Sequence, residues 1–360
     1  MRDRFVILRA AAVVLAVLLA VDCWGDPPSI SSLATNTRLT AEEQESVQTY
    51  ATFWCEQLTA GKDSPDSVRT ARRRLLEPLR GDLATAAFLD EYGRRLIPLL
   101  ESVIDDGNAH VSVNALIIVS QLGTERALDA LLKRSNVRDE PKEQVRLRAA
   151  RGCKDLLENQ NLSSVSARMI TLAARRLRDA ARAEDDTLIL RHQFQAILAA
   201  DRPRLGDKQR EQIRGYLVEA LESTAQRAIE APAGANPSGM DLFETTYPVL
   251  VEARNAYLRL DMASQQNFGR QMGPCLGRLL AVPGAQWEAG QNAPRCKEQC
   301  GKVVHLCERF LTTLDAFVRG HDGPPETDLK RAWDAGDADR YQQDLERWES
   351  VLGRSPYQSP

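Results

Sequence analysis

The amino-acid sequence predicts an all-α protein, and three observations carry that reading. Ala, Leu, Arg and Glu dominate, while Val, Ile, Thr and the aromatics never form alternating runs between hairpin turns. A shift from Val111 to Val145 also lays Val113 on Leu147, Ala115 on Ala149, Val119 on Cys153 and Leu122 on Leu156. Steps of four, four and three place Val111, Ala115, Val119 and Leu122 on one helical face. Helix-start signals then stand ahead of apolar stripes, as at Thr40-Ala41-Glu42-Glu43 and Ser64-Pro65.

Taken in order, Arg2, Arg4 and Arg9 precede an uncharged stretch from Ala10 to Val21. Twelve residues are too few to span roughly 30 Å of hydrocarbon as a helix, and they suit the apolar part of an export signal. Residues 1–25 are therefore expected to be a signal peptide, with cleavage after Gly25, or an N-terminal anchor through residues 5–21. The chain is expected to be exported: periplasmic, extracellular or membrane-anchored. Residues 26–39, rich in Pro, Ser, Thr and Asn, read as a flexible spacer. Thr40 and Glu43 form a capping box for a helix whose apolar face is Val47, Tyr50, Phe53, Trp54 and Leu58, and Gly61 ends it. Ser64-Pro65 starts a second helix over 66–79, and this pair would cap the repeats that follow.

The repeats begin with an apolar helix at 94–103, an Asp105-Asp106-Gly107-Asn108 turn and the Val111 helix. The second copy follows with a helix at 125–134, a turn over 136–141 and the Val145 helix. A third copy is blurred: Leu188, His192, Ala196 and Ala199 keep the spacing after Asp185-Asp186, with His192 where the small residue stood. A helix pair repeating at this period cannot bury its apolar face alone, so copies are expected to stack into an α-solenoid.

Leu96-Ile97-Pro98-Leu99-Leu100, an Asp-Gly-Asn turn and Val-x3-Ala-x3-Val-x2-Leu resemble a HEAT repeat of the phycobilisome-lyase type. Val145-Arg146 matches the Val-Arg pair that opens the second helix of such repeats, whereas the first copy has Ser112 in place of the Arg. The resemblance covers about 83–200, and the Trp/Gly/Tyr pattern of tetratricopeptide repeats is missing. It implies that second helices line a concave face, with Asn114, Ile117, Arg148 and Arg151 as its exposed partner-binding residues.

HEAT-like structure is expected over 40–230, ending in a helix at 207–230. Residues 231–239, Ala-Pro-Ala-Gly-Ala-Asn-Pro-Ser-Gly, read as a linker. A C-terminal helical region over 240–353 follows, of divergent repeats or bundle type, with helices expected at 241–262, 264–281, 294–319 and 326–352.

A net charge of −3 argues against nucleic-acid binding by bulk electrostatics. Only eight of the 47 basic residues are Lys, and the Arg groups at 72–74 and 175–178 interleave with Leu as solvated helix faces. The histidines (His110, His192, His305, His321) show no metal-binding spacing, and no nucleophile elbow, phosphate loop or dinucleotide fingerprint occurs. Carboxylate pairs such as Asp185-Asp186 stand where they cap helix N-termini.

Cysteine is the one residue type that leaves alternatives open. Positions 296, 300, 303, 307, 311 and 314 (Cys, Cys, Val, Cys, Leu, Leu) form one helical stripe, which reads first as core. In an exported chain, Cys275 could bridge to Cys296 or Cys300, and Cys153 reads as an unpaired core thiol. Cys296-x3-Cys300 is one loose metal-type pair without a second, so no metal or cofactor is expected.

The expected function is an exported, non-enzymatic helical-repeat scaffold that holds a protein or peptide. The alternatives are a ligand-handling enzyme of the bilin-lyase type, implied by the resemblance, and a Cys-based redox or metal module.

Overall fold

The computed structural model describes residues 26–80, 84–159, 165–232, 234–320 and 323–358. The export signal or anchor expected within 1–25, and His321, lie outside them. The described residues are helical with no strand, so the chain is all-α. Among them, no helix is long and apolar enough to cross a membrane. The chain divides into two compact units, 1–107 and 108–360, and the boundary falls inside the first repeat copy.

In the first unit, Thr40 accepts from the Glu43 N–H, and the Glu43 carboxylate returns the bond to the Thr40 N–H, starting α1 (Ala41–Ala60). Ser64 and Pro65 start α2 (Pro65–Leu76), and α3 runs Ala86–Asp106 straight through Pro98. Helix α1 packs against both α2 and α3. Tyr50 donates its hydroxyl to the Arg74 carbonyl at 2.6 Å and Tyr92 to that of Leu75 at 2.8 Å, so two buried phenols satisfy the end of α2. Residues 26–39 are not a loose spacer. Ile30, Ala34 and Leu39 are buried, and Thr85 ties down the Ala34 and Asn36 carbonyls. The few apolar residues in that polar stretch suffice to dock it.

In the second unit come α4 (Ala109–Val119), α5 (Glu125–Arg134), α6 (Glu143–Glu158), α7 (Ala167–Ala181), α8 (Thr187–Ala200) and α9 (Asp207–Glu230). Helix α6 packs on α4, α5 and α8, and α9 packs on α7 and α8. The two crisp stripes are core: Val111, Ala115, Val119, Leu122, Val145, Ala149, Cys153 and Leu156 are all buried. The third stripe lies one residue later than its spacing suggested. Ile189, Gln193, Ala196, Ile197 and Ala200 are buried, whereas Leu188 is 40% exposed. Asp186 sets that register by accepting from the N–H groups of both Leu188 and Ile189. Gln193 replaces the small residue of the other copies and donates to the Ser135 carbonyl at 2.8 Å.

Residues 231–239, expected as a linker, are tied at their start, where Gln286 donates to the carbonyls of Ala228 and Ile229 at the end of α9 and of Ala231 just beyond it. Beyond them lie α10 (Gly239–Thr245), α11 (Tyr247–Tyr257), α12 (Met262–Ala285), α13 (Trp287–Asn292), α14 (Pro294–Arg319), α15 (Leu329–Ala335) and α16 (Ala338–Leu352). Two helices expected to be continuous are broken. Pro248 divides 241–262 at Thr246 because it cannot donate into the preceding turn. Gly336, at φ 71°, ends α15 in the left-handed region, and Asp337 caps α16 through the Arg340 N–H. Helix α12 is the hub of this region, packed on α9, α14 and α16. Its Gly269, Gly273 and Gly277, one turn apart, leave room for Val318, Tyr357 and Leu352.

Candidate functional site

Helix α10 starts where Ser238 and Asp241 exchange capping bonds, and it places Glu244 near its last turn. Helix α14 faces it. Residues four apart on a helix are neighbours, so Cys296 and Cys300 stand together with their sulfurs 3.6 Å apart. Cys300 donates its thiol proton to Glu244 Oε1 at 3.5 Å. One donor atom from each of the three lies within 4.8 Å of the others. Cys300 is buried, while Cys296 and Glu244 are half-buried.

The electrostatics follow from that crowding. Burial raises the Glu244 carboxyl, opposed by the hydrogen bonds from Cys300 and Cys296. Of the two thiols, Cys296 is the more acidic, because Cys300 can donate to its thiolate. Cys300 is pushed far up by that same bond and by burial. The rest of the stripe (Val303, Cys307, Leu311, Leu314) is core, as its spacing implies, and His305 is exposed.

The expected Cys275 bridge is not formed: the described cysteines are free thiols, and Cys275 is buried with its sulfur 3.9 Å from the Val218 carbonyl. The physical reason is helix phase. Cys275 faces α9, whereas Cys296 and Cys300 face α10.

The residues expected to line a partner surface divide differently. Asn114 is 5% exposed and donates to the His110 carbonyl, so it is not a surface residue. Ile117 is half-buried. Arg148 is half-buried, held by Asp155 at 3.3 Å and by the Ser120 hydroxyl at 2.8 Å. Arg151 is exposed. The structure adds two residues of α8 beside them. Burial lowers the His192 pKa, and so do Arg151, Lys154 and Arg191, against a smaller opposing pull from Asp155. Nδ1 of His192 and Nε of Arg191 are buried without a hydrogen-bond partner.

An open cleft runs from Arg191 to the Glu244 carboxylate. Thr187 and Arg191 of α8, Glu244 of α10, Tyr247 of α11 and Gln299 of α14 are among its walls.

No protein-family model, curated protein or solved structure matches this chain. The site therefore rests on its own geometry. Sequence reasoning reached the Cys pair but missed Glu244, which lies 56 residues before Cys300 with no motif linking them. It also missed Arg191, because the third stripe was read one residue early.

Proposed function

We propose that this protein is an exported, non-enzymatic HEAT-like scaffold. In this reading α4, α6 and α8 are the second helices of stacked repeats, and the ridge of α6 and α8 binds an acidic segment of a protein or peptide. The observation that carries it is the gathering of three cations, Arg151 and Lys154 on α6 and Arg191 on α8, around His192. Buried polar atoms normally find partners, and Nε of Arg191 and Nδ1 of His192 have none within the chain. Carboxylates arriving from a partner would supply acceptors to Arg191 in its bidentate-capable fork. The adjoining cleft would take the extended chain that carries them. Export rests on the charged and apolar pattern of residues 1–25.

The test is photocrosslinking in the native host with the probe at exposed Leu188, on the face of α8 that carries Arg191 and His192, and at exposed Arg126 of α5 as a control. The expected result is an adduct at 188 that is absent at 126, and that charge reversal of Arg148 and Arg151 abolishes. An adduct indifferent to charge reversal would overturn the reading.

A further inference from the structure

We infer that Glu244, Cys296 and Cys300 form a binding site for a thiophilic divalent cation, zinc by its chemistry, with one coordination position open to solvent. The inference does not depend on the peptide-binding reading, since its ligands come from α10 and α14 alone, although Glu244 also walls the adjoining cleft.

Distances carry the argument. Tetrahedral zinc, with Zn–S about 2.3 Å and Zn–O about 2.1 Å, sets its sulfurs about 3.8 Å apart and sulfur from oxygen about 3.6 Å. The sulfurs of Cys296 and Cys300 are 3.6 Å apart, and Cys300 Sγ lies 3.5 Å from Glu244 Oε1. Two edges of the donor triangle thus match a zinc tetrahedron, and the third, from Cys296 to the Glu244 carboxylate, is within 4.8 Å. A disulfide fits the same residues less well. It would draw the sulfurs from 3.6 Å to about 2.0 Å, a larger shift than zinc requires.

Donor type selects the ion. Two thiolates and one carboxylate suit zinc and disfavour magnesium or calcium, which take oxygen ligands. Asp241, on the same helix, adds negative charge near Glu244, against Arg295 on α14. Three protein donors leave a fourth position for water or a ligand group, and two of the three, Cys296 and Glu244, are half-buried rather than in the core. Binding displaces the protons of both thiols, which leave to solvent as the metal–sulfur bonds form.

The test is a zinc titration of the full-length, reduced chain against a competing chromogenic chelator, followed by cobalt substitution. The expected result is one equivalent withdrawn from the chelator and a thiolate-to-cobalt charge-transfer band. Loss of an outer-shell partner alone typically weakens metal sites about 10–100-fold. Cys296→Ser, Cys300→Ser and Glu244→Gln are therefore each expected to weaken zinc by at least about tenfold, and exposed His305→Ala to leave it unchanged. Cys296 is half-exposed, so its serine variant leaves the core packing in place, and circular dichroism checks its fold. Wild-type protein that does not compete for zinc, or zinc binding undiminished in the three variants, would overturn the site. The cobalt band on wild-type protein needs no variant and reports thiolate ligation directly.

Discussion

Arg146 and Glu184, 38 residues apart in the chain, form a buried two-pronged ion pair with contacts of 2.9 and 3.1 Å. The third guanidinium nitrogen donates to the Glu140 and Pro141 carbonyls, and the carboxylate also accepts from the Asp186 N–H. One Arg at the start of α6 thus organises both the α5–α6 turn and the α7–α8 turn.

Removing one partner leaves a buried charge uncompensated, which costs about 3–5 kcal/mol. Glu184→Ala is expected to lower the unfolding free energy by that amount in urea titrations. The double replacement Arg146→Met with Glu184→Leu should recover most of it. A loss below about 1 kcal/mol for the single variant would mean the pair is solvated rather than buried.

Gly239 opens α10 in contact with the end of α9. A Cβ there would overlap the Ala228 carbonyl oxygen and press on the Gln286 side chain. Because the obstacle is backbone, Gly239→Ala should destabilise by about 1–3 kcal/mol, as overpacking does. Thermal unfolding of Gly239→Ala beside Gly284→Ala, whose Cβ meets only ordinary contacts, measures the difference.

His192 gives stability a specific pH dependence. Burial and the cations Arg151, Lys154 and Arg191 hold its folded pKa below the usual 6.5. The folded state therefore binds this proton more weakly than the unfolded chain. Its contribution is fully present above about pH 6.5 and is lost as pH falls through the folded value. The urea midpoint should drop more steeply on acidification in the wild type than in His192→Gln. Parallel curves would contradict the placement of His192 among these cations.

Thiol reactivity should separate one cysteine from the others. Cys296 is half-exposed and made more acidic by the Cys300 proton. Burial lifts Cys55 to about 12 and raises Cys153, Cys275 and Cys307 as well. In metal-free protein whose remaining cysteine, Cys23 of the expected export signal, is replaced by Ser, one fast equivalent should appear with an aromatic disulfide reagent, and Cys296→Ser should abolish it. Two or more fast equivalents would show that the α14 stripe is open.

Local chemistry made several elements legible from the chain alone. The Thr40–Glu43 box, the Ser64-Pro65 start, α5 over 125–134, α9 over 207–230 and α14 over 294–319 need only neighbours within one turn, so spacing suffices. The stripes of α4 and α6 were equally plain, because small and branched apolar residues recur at the helical period. The breaks at Thr246 and Gly336 were missed because amphipathic spacing continues across them; Pro248 and the left-handed Gly336 had to be weighed against it.

By itself, the sequence determined the all-α class, the positions of most helices and the common face of Cys296 and Cys300. Only the tertiary structure decided what meets those faces. It put Glu244 beside the thiols, turned Cys275 toward α9, buried Asn114 and grouped Arg191 with Arg151. The reason is physical: helix phase is set by residues three and four apart, whereas a pairing 56 residues apart is set by packing. No local pattern encodes how α10 docks against α14.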